Sequence, residues 1–415
     1  MRRALDALLA APGLTRTRFA GLALVSLAAT VVVLAGGGPD RTPLDLVAAA
    51  AQRPAPVVEV TPHEAAPEAA PAAPIETTQS PTPKSDAATA PARSPAPAQP
   101  VDAPVANPQP KRQPAPAAPA PKPASKVKHV FVVNVAGAGY DATWGTGSAA
   151  AYLNGTLRPQ GRLLESYHPL GQGDLATQVA LVSAQKPTPG IEHGCPTYGG
   201  DCVFGLDTLT LPDQLVSGGK RWRAYVQAMP QPCSHPGTNA ADAPAGDYVT
   251  QHNPFVYFRS LTDLGECGTN DVPLEALTDD LASEHATPNF VYVAPGLCDG
   301  GWSATCSDGT PGGLARADAF LAEWVPKILD SPAYKADGLL ILLFGAPPGA
   351  APPDAHTGAL LVSQFATAGS TSATPYDAYG VLRGIEDLFG LENLAAAGAG
   401  AASSFAKTEV AAGLR

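Results

Sequence analysis

KHVFVVNVAGAGYDATWG (residues 128–145) passes from an almost wholly apolar run into small residues and an aspartate. A run of Val and Phe without polar alternation reads as a strand buried on both faces of a mainly parallel sheet. NFVYVAP (289–295) and GLLILLF (338–344) read the same way. Between and around them, LTLPDQLVSGGKRWRAYVQAM (209–229), LEALTDDLASE (274–284), LARADAFLAEWVPKIL (314–329) and TPYDAYGVLRGIEDLFGL (374–391) carry apolar residues at helical spacing. On this reading Trp222, Tyr225, Trp324 and Phe389 are core or helix-packing residues. The alternation predicts an α/β domain over residues 127–395, a doubly wound, mainly parallel sheet with helices on both faces. Ligands bind at the C-terminal strand ends of such sheets, and AGAGYD sits at one.

Outside this domain the chain changes character. It has 415 residues with 45 Pro and a formal net charge of -11. Residues 51–126 are dominated by Pro and Ala, which cannot build a core and favour an extended, semi-stiff spacer. Upstream, Arg2, Arg3, Arg16 and Arg18 precede an uncharged apolar run at 19–38, closed by Asp40 and Arg41. A run of about 20 apolar residues suffices to span a bilayer, and the basic flank should remain cytoplasmic. Residues 1–50 are therefore expected to be a basic tail and single-pass signal-anchor, with the folded domain outside the cell membrane. A cleaved signal peptide and a secreted protein are the competing reading, because Ala35 and Ala48 to Ala51 offer small residues. Residues 396–415 return to small residues and are expected to form a flexible tail. The acidic balance leaves no basic surface for a nucleic-acid backbone, so nucleic acid is not an expected partner.

Six cysteines, Cys195, Cys202, Cys233, Cys267, Cys298 and Cys306, all lie beyond the apolar run, and their even number suits an oxidising compartment. The favoured pairing is local: Cys195 with Cys202, Cys233 with Cys267, Cys298 with Cys306. Their spacing lacks the CxxC repeats of a zinc site. Gly137, Gly139 and Ala142 match a dinucleotide fingerprint weakly, since its acidic partner would have to be Glu165 on a modest strand. Ser183 lies inside a helical run without a G-x-S-x-G elbow, and His193 sits by a disulfide-closed loop. No cofactor is expected.

The order of several stretches is similar to a known family. HVFVV followed by YD (129–141), HP then ALVSAQ (168–185), LPDQL with RWRAYVQAMPQPC (211–233), QHNPFVYF (251–258), PNFVYVAPGLC (288–298), DAFLAEWVPKILDSPAYKADGLLILLF (318–344) and YDAYGVLRGIEDLFGL (376–391) carry the likeness. Together they resemble the bacterial phosphoesterase family of acid phosphatases and phospholipase C type enzymes, whose fold is alkaline-phosphatase-like. The resemblance implies a hydroxyl nucleophile activated by bound metal, with carboxylate, amide and imidazole ligands.

At the matching positions this chain departs from the pattern. Ala136, Gly137 and Ala138 replace a Glu-Asn-His run, ahead of Gly139, Tyr140 and Asp141. Asp174 stands where the family has its nucleophile. Gly300, Trp302 and Ser303 replace an Asp-x-His-Asp set, Gly345 and Ala346 replace a carboxylate pair, and Ala378 in Tyr376-Asp377-Ala378 replaces a histidine. Alanine and glycine offer neither charge nor lone pair to a metal, so an empty cradle is expected. Asp174 either caps the helix from Leu175 or serves as a carboxylate nucleophile. His252, Asn253 and His356 match polar positions near the family's pocket, and Asp141, Asp174, Asp354 and His356 are the best candidates for a rebuilt site.

These residues describe an exported, membrane-tethered phosphoesterase-like domain that binds rather than hydrolyses. Its ligand would be an anionic cell-envelope polymer, a phosphorylated small molecule or another protein. The alternative is an active phosphoester hydrolase with a rebuilt site and a divalent metal. A third reading makes the domain structural and the spacer functional.

Overall fold

The computed structural model describes residues 125–171, 174–345, 356–398 and 402–410. Its frame is an eight-stranded sheet in the order β4-β3-β5-β1-β6-β7-β2-β8. The strands are β1 (His129–Ala136), β2 (Gly161–Leu164), β3 (Trp222–Val226), β4 (Asp271–Pro273), β5 (Phe290–Ala294), β6 (Gly338–Gly345), β7 (Ala359–Val362) and β8 (Ser370–Ser372). β7 alone runs against its neighbours, β6 and β2; every other pairing is parallel. The three apolar runs become the three central strands, with Val130 in register with Phe290 on one side and Leu339 on the other.

Alternation along β1 feeds two cores. Val130 and Val132 join Leu175, Val179, Tyr292, Ile341 and Leu382 on one face. Phe131, Val133 and Val135 join Phe320, Leu321, Val325, Leu340 and Leu342 on the other. The helices include α1 (Tyr140–Trp144), α2 (Asp174–Ser183), α3 (Leu211–Ser217), α4 (Leu314–Asp330), α5 (Pro332–Asp337) and α6 (Ala378–Phe389). Two caps define α6: the Asp377 side chain accepts from the Gly380 amide, and Gly390 closes the helix at φ 72°. Glycine reaches that left-handed conformation at little cost.

Several expectations change. RWRAYV is strand β3, not a continuation of the helix before it; only 211–217 is helical. Trp222 and Tyr225 are both buried but fall in opposite cores, as odd spacing on a strand requires. Trp324 does pack on its helix, stacked on Phe320 with Lys327 Nζ 3.7 Å from its ring centre, and Phe389 is buried on α6. The small-residue tail is not loose over 402–410: Phe405 is fully buried, Val410 bridges to Ala366, and Glu409 pairs with Arg162 of β2 at 2.5 Å. Apolar and charged anchors among the alanines hold it down.

The disulfides join Cys195 to Cys202, Cys233 to Cys267 and Cys298 to Cys306. Among the described residues no helix is long and apolar enough to cross a membrane. The apolar run at 19–38 and nearly all of the Pro/Ala segment lie outside the described residues, as do Ala346 and Asp354.

Candidate functional site

β1, β6 and the loop after β5 meet where the central strands end. The Gly137 amide donates to the Gly345 carbonyl at 2.8 Å, and the Ala136 amide donates to the Gly300 carbonyl at 2.8 Å. These contacts explain the small residues. A β-carbon on Gly137 would lie 3.0 Å from that carbonyl, and one on Gly300 would lie 2.6 Å from Trp302 Cδ1. One on Gly345 would meet Asp174 Oδ1 at 2.3 Å and Trp302 Cη2 at 2.4 Å. The cradle is therefore not empty, contrary to the expectation from sequence. The indole of Trp302 and the carboxyl of Asp174 fill it.

Trp302 is held from behind. Its amide donates to the Leu297 carbonyl at 3.0 Å, within the turn that the Cys298–Cys306 disulfide closes. The His252 ring lies against it, centroids 4.6 Å apart. His252 is buried, its Nδ1 has no hydrogen-bond partner among the described residues, and burial pushes its pKa down to about 3. A histidine in that state is a neutral packing partner.

Asp174 opens α2, yet its carboxyl does not cap the helix. Oδ2 accepts from Asn134 Nδ2 of β1 at 2.7 Å and from Gln178 Nε2 one turn along. Gln178 Oε1 in turn accepts from the Tyr292 hydroxyl of β5 at 3.0 Å. Oδ1 has no partner among the described residues. Burial pushes the Asp174 pKa up to about 7, against the lowering effect of the Gln178 and Asn134 hydrogen bonds. Tyr167, also buried with an unpartnered hydroxyl among the described residues, is held further from ionisation by burial and by the Asp174 charge. Near neutral pH Asp174 is thus divided between its acid and its carboxylate.

Asn134, Gln178, Tyr292 and Tyr167 were not singled out from the sequence. A signal existed for two of them: Asn134 is the one amide side chain in the buried β1, and Gln178 lies in a helix buried at all ten positions.

The other candidates scatter. Asn253 is not in the pocket; its Nδ2 donates to Asp271 Oδ2 at 2.7 Å, beneath the Cys233–Cys267 disulfide. His356 is exposed, its ring 4.6 Å from that of Tyr140 and 5.8 Å from that of His168. Asp141 is exposed on α1, and Ala138 is exposed with its amide bonded to Thr143 Oγ1 at 3.1 Å. Ala378 is buried at the start of α6. Glu165, the acid a dinucleotide site would need, is hydrogen-bonded to Tyr140, and the helix after β1 has only five residues.

The family pattern implies a metal cluster, and the residues present do not fit one. Among the described residues, the group of three or more His, Cys, Asp or Glu close enough to share an ion is Cys233, Cys267 and Asp271. None of these stands at a family ligand position, and the two sulfurs are joined to each other. Beside Gly345 the carboxyl of Asp174 faces the indole of Trp302.

The sequence profile of the phosphoesterase family matches residues 149–392. No curated protein matches the chain. Among solved structures, a protein of the alkaline phosphatase superfamily from Vibrio parahaemolyticus is 14% identical, with 65% of this chain and 68% of that chain covered and a TM-score of 0.44. A putative sulfatase from Bacteroides thetaiotaomicron is 11% identical over 68% of this chain and 74% of its own, TM-score 0.41. The lipoteichoic acid synthase LtaP from Listeria monocytogenes is 11% identical over 68% and 75%, TM-score 0.40.

Proposed function

The chain belongs to the phosphoesterase family, and we propose that it is a member that has lost metal-dependent hydrolysis and acts by binding, exported and held at the cell membrane. The observation that carries this reading is the occupancy of the strand ends: Trp302 and Asp174 both lie where a side chain on Gly345 would have to go. Metal-assisted phosphoester cleavage needs several hard ligands around one ion and an activated hydroxyl. Here those positions hold Ala136, Gly137, Gly300 and Gly345, and an acid replaces the hydroxyl. Export and tethering are supported by the arginine-flanked apolar run at 19–38 and the Pro/Ala spacer behind it. Kinship with phosphate-ester enzymes favours a phosphorylated small molecule or an anionic envelope polymer as ligand.

A second reading keeps an active hydrolase with a rebuilt site. The unpartnered, buried Oδ1 of Asp174 favours it, since a bare carboxylate edge in a dry pocket can act as a nucleophile once a substrate displaces the indole. Elemental analysis of the purified protein, with turnover of a phosphomonoester and a phosphodiester from acidic to alkaline pH and added divalent metals, separates the two. No stoichiometric metal and no turnover are expected. Turnover that disappears in Asp174→Ala would overturn the binding role. Fractionation of the full chain, with mass analysis of its N-terminus, distinguishes an intact anchor from a cleaved signal.

A further inference from the structure

We propose that the Cys233–Cys267 disulfide is an exchangeable one, and that Asp271 is the carboxyl group that gives a proton to the departing Cys267 sulfur. The inference stands apart from the phosphoesterase reading. It rests on how one residue holds both halves of the bridge. The Asp271 carbonyl accepts the Cys233 amide at 3.0 Å, while its side-chain Oδ2 lies 3.7 Å from Cys267 Sγ.

The two sulfurs are unequal. Cys267 is fully buried, and Cys233 is half-buried in a loop whose neighbours Gln231, Pro232 and His235 are exposed. The remaining four cysteines are all buried. Thiol attack on a disulfide requires access to one sulfur and a stable way for the other to leave. Cys233 offers the access. A thiolate left at Cys267 would be a buried charge beside a carboxyl, which is costly unless a proton arrives with it.

Asp271 is placed to supply that proton. It is buried, Oδ2 accepts from Asn253 Nδ2 at 2.7 Å, and Oδ1 has no partner among the described residues. Burial pushes its pKa up to about 7, so the acid form is available near neutrality. Few charges surround it. Tyr248 faces it through Asn253, and that hydroxyl donates to the Ser234 carbonyl. Of the charged residues on the elements packed against β4, Arg223 turns to Asp280 and Glu266 to Asn270. His235, beside Cys233, is bonded through its own ring to the Pro236 carbonyl.

The step balances. An external thiolate RS⁻ bonds to Cys233 Sγ, the S–S bond breaks, and its electron pair goes to Cys267 Sγ, which takes the Asp271 proton. The products are a Cys233–S–S–R mixed disulfide, a Cys267 thiol and an Asp271 carboxylate, later reprotonated by water. With a dithiol, its second sulfur then attacks the mixed disulfide, releasing Cys233 as thiolate and oxidising the dithiol to its own disulfide.

The test is partial reduction of the native full chain with dithiothreitol, trapping by alkylation and mapping of the six cysteines by mass. Cys233–Cys267 should open before the other two bridges. Rates divided by the reductant's thiolate concentration should fall as pH rises through about 7. In Asp271→Asn, which keeps an acceptor for Asn253 but donates no acid proton, reduction should be about a hundredfold slower at pH 6 and no slower at pH 9, the lower range of a lost general acid. A purely structural role would change the rate by the same factor at every pH. That result, or earlier opening of either other bridge, would overturn the proposal. Should the variant fail to fold, the order of opening and the pH profile of the unaltered protein decide it.

Discussion

Trp302 lies over Gly345 so closely that a β-carbon on the glycine would come within 2.4 Å of the indole Cη2. Gly345 ends β6 and Trp302 lies in the loop after β5, and a side chain at 345 would compete with the indole for one space. A carboxylate at 345 would leave no space for the indole, and the indole leaves none for a carboxylate.

Overpacking at this contact gives a direct check. Gly345→Ala should destabilise the protein by about 1–3 kcal/mol, the usual cost of adding carbon to a filled interior. Trp302→Ala removes the indole's part of the clash and leaves that of Asp174 Oδ1, so the double variant should be less destabilised than the sum of the singles, with a coupling of roughly 1 kcal/mol or more between contacting residues. Denaturant unfolding of the four proteins measures it. Additive effects would mean that the indole does not sit over Gly345.

Asp174 gives the protein an unusual pH response. Its folded pKa, about 7, is above the ordinary 3.8. Between those values the folded state holds a proton that the unfolded chain has released, so this group's contribution to stability falls as pH rises from about 4 to about 7. Asp174→Asn should raise the melting temperature at pH 8 and leave it nearly unchanged at pH 4. Equal shifts at both pH values would show that the carboxyl is not held in its acid form.

His252 works in the opposite sense. Its folded pKa, about 3, is below the ordinary 6.5, so the unfolded chain takes up a proton first as pH falls through that window. Stability from this group is complete above 6.5 and is lost toward pH 3. His252→Phe keeps an aromatic face for Trp302 and removes the titration. Its acid unfolding midpoint should move to lower pH, read by circular dichroism; an unmoved midpoint would place the imidazole in contact with water.

The central strands were legible in the sequence because burial on both faces erases alternation, and HVFVVNVA, NFVYVAP and GLLILLF are short apolar runs rich in Val, Ile and Leu, as strands of a parallel core are. β3 was not, because Trp222 and Tyr225 are three apart and mimic a helical stripe. The competing signal was weaker: Trp222, Ala224 and Val226 face one core while Arg223 and Tyr225 face the other way. At the site, the run of small residues at 136–138 and at 345 could be read directly, since Ala and Gly side chains have no donor atoms. The occupant of that space could not. Trp302 comes from a loop whose path is fixed by the Cys298–Cys306 bridge and by backbone contacts, and no local pattern reports where an indole ends up. Asn253 failed for the same reason, bonding to an aspartate 18 positions away and not to the pocket.

β1 joins the sheet between two strands that come much later in the chain, and the buried contact that fixes its start, His129 Nδ1 to Asp337 Oδ1 at 2.6 Å, spans 208 residues. Parallel pairing over such separations makes folding slow, because the loop must close before any contact rewards it. During synthesis β1 therefore emerges with both of its hydrogen-bonding edges open and waits until β5 and β6 exist. Until then HVFVVNVA is an unpaired apolar strand, and it is where a holding chaperone would be expected to grip.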